Sequence, residues 1–243
     1  MKTIYFVFLS DESMNHSQFR NRDQSHFLLG VSLGNKVFTS TFARNLGRYV
    51  DSRGISSLRI VLFDRCESVN YVALRGLDRD LADTIARERA IQLRSMFLRS
   101  LQGTNSEITV ELQSDVEKSL EQLPGVFARL TLAFTLGQTF SNDVRHQVLF
   151  NLQKKVGDRG EEFLVSRLDV LSQYIILELA FFYAYRLQYP MGIELYPGTE
   201  LFVKQRLTQG LYLSEAKLGR ILGKWTFEDV SFLQRVDFQP RVA

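Results

Sequence analysis

The chain contains few of the residues that break or cross-link a fold. Its 243 residues include only 4 prolines, 15 glycines and a single cysteine, with no repeat and no low-complexity stretch. The lone Cys66 cannot form an internal disulfide, which fits a reducing, cytoplasmic location. We expect residues 1–243 to fold as one domain, because a chain of this length can bury a large core by itself.

Several functional signatures are also missing. The sequence has neither a G-x-x-x-x-G-K-[ST] loop nor a G-x-G-x-x-G motif, so nothing favours nucleotide hydrolysis or dinucleotide binding. The three histidines, His16, His26 and His146, lack the spacing of metal ligands, and a single cysteine argues against structural zinc. We therefore expect neither a metal nor another cofactor.

Long hydrophobic runs are absent too. The most apolar stretch, Ile175–Tyr185, is shorter than the ~18 residues of a membrane helix and contains Glu178. The apolar start, Thr3–Leu9, meets Asp11 and Glu12 without a small-residue cleavage site, so we interpret it as a strand rather than a signal peptide. The sequence thus predicts no membrane anchor.

Short apolar segments alternate with segments of helical spacing, a pattern typical of a parallel sheet with helices on both faces. We predict a Rossmann-like α/β fold with strands at Thr3–Leu9, Phe27–Ser32, Leu58–Phe63, Ile108–Leu112, Ile193–Tyr196 and from Phe227. Helices are predicted at Phe38–Val50, Tyr71–Leu101 with a break near Gly76, Ser114–Leu123, Val126–Phe140, Asp143–Lys154, Glu161–Tyr185, Glu200–Leu207 and Ser214–Leu222, with Pro124–Gly125 as a helix end. Ligands bind beyond the carboxyl ends of such strands, where Ser32, Asp64 and Tyr196 fall.

The sequence Gly-Val-Ser-Leu-Gly-Asn, residues 30–35, follows the second predicted strand. Its glycines let the backbone turn tightly and let a substrate approach the main chain. With a helix predicted just beyond, nearby amides favour negative charge, so Ser32 could attack a carbonyl while those amides hold the oxyanion. The alternative is that Ser32 serves only as a helix N-cap.

A carboxylate lies inside an apolar predicted helix. Tyr174 and Glu178 share one face at i, i+4 spacing, and their neighbours are apolar nearly all round, so Glu178 is costly to bury unless it is paired. Its partner is either a cationic ligand, such as the α-amino group of an amino acid, or a distant arginine. The later Tyr196-Pro197-Gly198 adds a second tyrosine, which either positions a reacting group or marks a plain turn.

The charge is nearly balanced, with 30 basic and 27 acidic residues. Arginines far outnumber lysines, and guanidinium groups suit phosphate contacts. The predicted basic helix Arg75–Arg99 carries Arg79, Arg87, Arg89, Arg94 and Arg99, and Arg87 and Arg94 share a stripe because they are seven residues apart. It is either a surface for a phosphate backbone or a solvated helix balanced by acidic neighbours.

Three short motifs, taken in order, resemble the cyclodipeptide synthase family: GVS at residues 30–32, Y-x-x-x-E at 174–178 and YP at 196–197. The stretch NYVAL at residues 70–74, leading into the arginine-bearing helix, is similar as well, and the resemblance spans essentially the whole chain. It implies a fold like the catalytic domain of class I tyrosyl- and tryptophanyl-tRNA synthetases, without their ATP-binding motifs. Pro197 favours the proline-type subgroup of the family, whereas Asn35 is typical of the other subgroup.

The resemblance also implies a reaction. Ser32 would accept an aminoacyl group from one aminoacyl-tRNA, and Tyr174 and Glu178 would hold its ammonium. A second aminoacyl-tRNA would supply the next residue, and cyclisation would release a cyclic dipeptide, with Tyr196 against the reacting groups. The partners would be two aminoacyl-tRNAs and no DNA, and the protein would be a monomer or a homodimer.

Further residues follow from the same resemblance. Gly30 would lie beside the acyl carbonyl, and the Leu33 amide would be an oxyanion donor. Asn35 would contact the substrate, and Glu194 would favour a polar or cationic side chain. The first side-chain pocket would be lined by Leu28, Val61, Phe63, Phe181, Phe182 and Glu194, and the first tRNA would dock on Arg79, Arg87, Arg94 and Arg99.

Two other functions stay open. The residues Gly30–Ser32 also suit a serine esterase or hydrolase, although no general base stands beside Ser32 in the sequence. The arginine-bearing helix also suits a tRNA-binding module without catalytic activity.

Overall fold

A five-stranded parallel sheet forms the centre of the protein. The computed structural model describes residues 26–152, 160–198, 200–219, 224–236 and 238–240. The strand order is β3-β2-β1-β4-β5, and every neighbouring pair is parallel. The strands are β1 (His26–Val31), β2 (Ser57–Leu62), β3 (Glu107–Leu112), β4 (Met191–Tyr196) and β5 (Lys224–Asp229).

Helices connect the strands and cover both faces of the sheet, which confirms the predicted α/β fold. They are α1 (Ser40–Ser52), α2 (Asp64–Arg75), α3 (Arg79–Ser100), α4 (Gln113–Val116), α5 (Leu123–Leu136), α6 (Gln138–Leu152), α7 (Gly160–Val165), α8 (Leu168–Gln188), α9 (Phe202–Thr208) and α10 (Leu213–Ala216). Short 3-10 helices lie at Glu117–Ser119 and Ser231–Gln234. The strand predicted at Thr3–Leu9 lies outside the described residues.

Two apolar cores pack against opposite faces of the sheet, because successive side chains of a strand point to opposite sides. Leu28 of β1 and Val61 of β2 belong to the core that contains α8. Leu29 and Ile60 belong to the core that contains α1. Both faces of the central strands are therefore buried, which explains why they appear in the sequence as continuous apolar runs.

Helix α8 is the main helix of the first core. By length and composition it could cross a membrane, but 67% of its most apolar window is buried inside the protein. Its apolar residues face the sheet and helices α2, α5 and α6. The helix is also longer than the apolar stretch recognised in the sequence.

The order in which strands are added to the sheet reverses at β1: β2 and β3 follow on one side of it, and β4 and β5 follow on the other. Leu29 of β1 pairs with Leu195 of β4, so the carboxyl ends of these two strands lie side by side. Such a switch point opens a crevice in which α/β proteins bind ligands. Ser32 directly follows β1, and Tyr196 ends β4.

Several predicted helix ends were wrong. Pro124 and Gly125 do not end a helix; the proline lies in the first turn of α5, where its missing N–H costs nothing. The helix predicted at Val126–Phe140 ends at Leu136, because Gly137 is extended with φ −92° and ψ 123°.

Other predicted helices are shorter than the sequence suggested. The segment Glu161–Tyr185 forms two helices, since the chain turns at Ser166 and Arg167 between α7 and α8. In the last predicted helix, Ser214–Leu222, the described helix ends at Ala216, because Lys217 adopts a left-handed conformation with φ 48°; positions 220–222 lie outside the described residues.

Candidate active site

Ser32 lies in a tight turn directly after β1. The Asn35 amide donates to the Ser32 carbonyl at 3.0 Å and closes this turn. Helix α1 begins only at Ser40, and its N-cap is Thr39, whose hydroxyl accepts from the Phe42 amide at 3.2 Å. The N-cap interpretation of Ser32 is therefore wrong. The turn, rather than a helix start, supplies the backbone around Ser32.

Asn35 ties this turn to the end of β4. Its Oδ1 accepts from the Val37 amide at 3.1 Å, and its Nδ2 donates to the Tyr196 hydroxyl at 3.4 Å. One side chain thus fixes the turn after β1 and approaches the tyrosine 161 positions away in the sequence. The structure brings Asn35 and Tyr196 together, as the strand order requires.

Tyr174 is buried and Tyr196 is partly buried, and the charge of Glu178 influences both phenols. Burial raises the pKa of Tyr174 well above its usual value, the Asn151 amide opposes this effect and the Glu178 charge adds to it. Burial, with the Glu178 charge second, raises the pKa of Tyr196 to about 12. Glu178 therefore lies within electrostatic range of both hydroxyls. At neutral pH both phenols stay protonated, so they act by hydrogen bonding rather than as bases.

Aromatic rings press against Gly30 in β1. A Cβ added at Gly30 would lie 2.7 Å from Phe63 Cε2 and 3.1 Å from Phe182 Cζ. The Phe63 ring centre lies 5.3 Å from that of Phe181 and 5.5 Å from that of Phe182. Leu28 and Val61 belong to the same apolar cluster. The apolar residues predicted to line a side-chain pocket are thus brought together.

We expect Gly30→Ala to lower the free energy of unfolding by about 1–3 kcal/mol, since the new methyl group would force a buried Phe63 ring to move. Thermal unfolding measures the change. The matched control is Gly125→Ala in the first turn of α5, where an added Cβ has no heavy atom within 4 Å. If the two variants unfold at the same temperature, the space above Gly30 is not as tight as the structure indicates.

Glu194 is paired inside the protein. It is 1% exposed, and its carboxylate contacts Lys204 Nζ and, at 3.1 Å, Arg186 Nη2. Glu200 completes the group at 3.6 Å from Arg186 and 3.5 Å from Lys204. Two acids and two bases therefore balance one another. This pairing removes the reason to expect that Glu194 favours a cationic side chain.

Asp64, another residue at a strand end, is also occupied. Its carboxylate accepts from the Ser114 amide at 3.0 Å and from the Ser114 hydroxyl at 2.6 Å. This contact joins the start of α2 to α4. Asp64 therefore has a structural role beside the crevice, because its carboxylate links α2 to α4.

The four predicted docking arginines all lie exposed on α3. Arg79 pairs with Asp83 at 3.4 Å, and Arg87 pairs with Asp115 at 3.7 Å. Arg94 and Arg99 stand further along the same helix. These surface pairs are weak in water and can exchange for phosphate contacts.

Sequence reasoning missed two amides on α6, Gln147 and Asn151. Asn151 Nδ2 donates to the Tyr174 hydroxyl at 2.8 Å, and Gln147 Nε2 donates to Asn151 Oδ1 at 2.9 Å. A signal was present, because Gln147 falls among the buried apolar residues Val144 and Val148 of this helix. Polar residues on such a stripe need partners. Among the described residues, no group of three or more His, Cys, Asp or Glu could hold a metal ion.

Solved structures of cyclodipeptide synthases share this fold. One from Fluoribacter dumoffii matches with a TM-score of 0.69 and 12% identity over 83% of this chain and 88% of that one. A Mycobacterium tuberculosis protein, whose structure relates cyclodipeptide synthetases to type I tRNA synthetases, has a TM-score of 0.59 and 20% identity over 77% and 79%. One from Candidatus Glomeribacter gigasporarum, bound to Phe-tRNAPhe, has a TM-score of 0.50 and 14% identity over 83% and 86%.

These similarities establish the fold. The protein is a Rossmann-like α/β domain of the kind seen in cyclodipeptide synthases and in the catalytic domains of class I tRNA synthetases. No protein-family model matches the chain, and no curated protein sequence matches it significantly.

Proposed function

We propose that this protein is a cyclodipeptide synthase, which takes aminoacyl groups from two aminoacyl-tRNAs and joins them into a cyclic dipeptide. The observation that carries the proposal is the convergence at one switch point of the Ser32 turn, Tyr196 and Glu178. The fold shared with known cyclodipeptide synthases supports it. So does the structure of one such enzyme bound to Phe-tRNAPhe.

The chemistry begins at Ser32. Its hydroxyl oxygen attacks the ester carbonyl of the first aminoacyl-tRNA, the bond from the carbonyl carbon to the terminal ribose oxygen breaks, that oxygen gains the serine proton, and an aminoacyl-serine forms. The acyl carbonyl lies beside the Gly30 backbone, and the Leu33 amide donates to the oxyanion. The Glu178 carboxylate compensates the ammonium of the bound aminoacyl group.

Two further acyl transfers complete the reaction. The amine of the aminoacyl-serine attacks the ester of the second aminoacyl-tRNA, which releases the second tRNA and leaves a dipeptidyl-serine. The new terminal amine then attacks the serine ester, closes the six-membered ring and frees Ser32. The ester of an aminoacyl-tRNA is already activated, so no step needs ATP. Tyr196, protonated and held near Asn35, donates hydrogen bonds during these transfers.

The proline-type subgroup is the better assignment within the family. Pro197 directly follows Tyr196 and restricts the backbone at the end of β4. Asn35 belongs to the other subgroup's pattern, and its bonds to Val37 and Tyr196 give it a positioning role in this chain.

A serine hydrolase is less well supported, because neither of the described histidines makes a hydrogen bond to Ser32. His26 begins β1, whereas Ser32 follows the last residue of that strand, so the two lie at opposite ends of β1. His146 is exposed on α6. His16 lies outside the described residues.

Mass spectrometry on purified protein tests the proposal. Incubation with a mixture of aminoacyl-tRNAs should give a new cyclic dipeptide, and ribonuclease added beforehand should abolish it. Hydrolysis of simple esters that ribonuclease leaves untouched would favour the hydrolase. Tight binding of tRNA without any product or acyl-enzyme would favour a tRNA-binding module.

We expect Arg87→Gln combined with Arg94→Gln to weaken tRNA binding and flatten its dependence on salt. Each phosphate contact contributes about 0.7–0.9 to the slope of log K against log salt, so the slope should fall by about 1–2. Filter binding at several salt concentrations measures both quantities.

The matched control removes the same charge elsewhere, with Arg129→Gln on α5 and Arg167→Gln before α8. These arginines belong to other segments than α3, so the control should keep the wild-type slope if α3 is the docking surface. Equal slopes in the two double variants would exclude α3 as the docking surface.

A further inference from the structure

Two amides of α6 form a hydrogen-bonded chain that ends on Tyr174. Gln147 Nε2 donates to Asn151 Oδ1 at 2.9 Å, and Asn151 Nδ2 donates to the Tyr174 hydroxyl at 2.8 Å. Gln147 is 2% exposed and Tyr174 is 7% exposed. These hydrogen bonds are therefore largely shielded from water, and a buried hydrogen bond is costly to lose.

Packing alone does not call for these amides. The same helix face carries Phe140, Val144 and Val148, all fully buried. An apolar side chain at position 147 would pack there without the cost of burying an amide. The pair instead makes one continuous contact with a candidate catalytic tyrosine.

The orientation of the two side-chain amides follows from which of their atoms lack a hydrogen-bond partner. Within the described part of the protein, Gln147 Oε1 is buried without a hydrogen bond. Turning both amides around would give that oxygen a donor but would leave the Gln147 nitrogen, with two hydrogens, buried without an acceptor. A buried N–H without a partner is rarer than an unsatisfied carbonyl. The amides therefore donate towards Tyr174.

We propose that Asn151, itself held by Gln147, is a positioning residue that orients the Tyr174 hydroxyl and makes Tyr174 a hydrogen-bond donor in the reaction. This inference rests on the proposed function. Because Asn151 donates to the phenol oxygen, the hydrogen of Tyr174 points away from α6 and towards an acceptor on the Glu178 side of the site. Glu178 is then the main group that binds the substrate ammonium, and Tyr174 donates its hydrogen bond to an oxygen atom.

Asn151→Asp tests this role, because it keeps the shape of the side chain and removes the donor. The new carboxylate would accept the Tyr174 hydrogen and reverse the hydrogen bond. We expect kcat for cyclic dipeptide formation to fall about tenfold or more, with a smaller change in KM. The control is Asn142→Asp, an exposed position on the same helix with the same change of charge, which should retain wild-type kcat.

A double-mutant cycle separates positioning from other roles. If Asn151 acts through the Tyr174 hydroxyl, Asn151→Asp should have no further effect on kcat in the Tyr174→Phe background. An effect of the same size in both backgrounds would overturn the proposal, because Asn151 would then act on the substrate or on the fold directly. Equal activity of Asn151→Asp and Asn142→Asp in the otherwise wild-type chain would also overturn it.

A second measurement does not depend on activity. With tyrosine labelled at 13Cζ, the resonance of Tyr174 is the one lost in Tyr174→Phe. It should shift in Asn151→Asp and stay in place in Asn142→Asp, and an unchanged resonance in both would exclude the hydrogen bond. A wild-type protein that makes no cyclic dipeptide would instead count against the proposed function, whatever the resonance does.

Discussion

Replacing Ser32 by alanine should abolish both the aminoacyl-enzyme and the cyclic dipeptide. The substitution removes the oxygen to which the first aminoacyl group is bound, and no neighbouring group offers the same position after β1. In enzymes that form a covalent intermediate, loss of the nucleophile lowers the rate by about 10⁴-fold or more. The fold should be unaffected, because Ser32 is only half buried and its side chain is not a helix cap.

Intact-protein mass spectrometry of acid-quenched reactions measures the first step directly. Wild-type protein mixed with one kind of aminoacyl-tRNA should gain the mass of one aminoacyl group, and Ser32→Ala should gain nothing. Ser40→Ala, an exposed serine at the start of α1, is the matched control and should behave as wild type. Cyclic dipeptide made at a wild-type rate by Ser32→Ala would rule out the covalent route, while leaving the fold and the substrate class untouched.

The parallel sheet was predictable because its strands are short and buried on both sides. In β1, five of the six residues are buried in succession, and such a run has no competing helical period. The carboxyl ends of the strands then follow from the strand order, which is why Ser32 and Tyr196 could be placed in one crevice. Local signals misplaced helix ends, as at Pro124, where the same residue suits either the end or the first turn of a helix.

The contacts that shape the site were not predictable, because they join distant parts of the chain. Asn35 and Tyr196 meet only because β1 and β4 are neighbours in the sheet. Asn151 reaches Tyr174 across the packing of α6 on α8. Neither pair has a spacing that a sequence pattern reveals, so the sequence supplied the candidate residues and the structure supplied their partners.

Glu194 shows the same limit for charge. The family resemblance implied that Glu194 lines the first side-chain pocket and favours a polar or cationic side chain, but a sequence does not show which groups a buried carboxylate will face. The cations that balance it come from α8 and α9, the helices that precede and follow β4 in the sequence. The buried group of Arg186, Glu194, Glu200 and Lys204 is therefore a structural feature behind the candidate pocket, with Lys204 Nζ 4.3 Å from the centre of the Phe182 ring.

Replacing Lys204 by methionine should destabilise the protein strongly. The side chain of Lys204 is 5% exposed, and its removal leaves Glu194, 1% exposed, and Glu200 to share the single guanidinium of Arg186. Loss of one partner from a buried ion pair costs about 3–5 kcal/mol. At about 2–4 °C per kcal/mol for a chain of this size, Tm should fall by about 6–20 °C. Calorimetry or circular dichroism on heating measures the shift.

Lys118→Met provides the matched control, since Lys118 pairs with Asp115 at 2.8 Å but its side chain is 74% exposed. A surface pair of this kind contributes about 0–1 kcal/mol. Adding Glu194→Gln to Lys204→Met restores the balance of charge and should recover part of the lost stability. The reason is that most of the cost comes from a buried carboxylate without a counter-charge, and little of it from the packing that the lysine side chain provided. Equal Tm values for Lys204→Met and Lys118→Met would mean that the buried group contributes nothing. Recovery of both Tm and activity in the double variant would mean that Glu194 contributes to the stability of β4, which carries Tyr196, and that the substrate does not require the charge of Glu194.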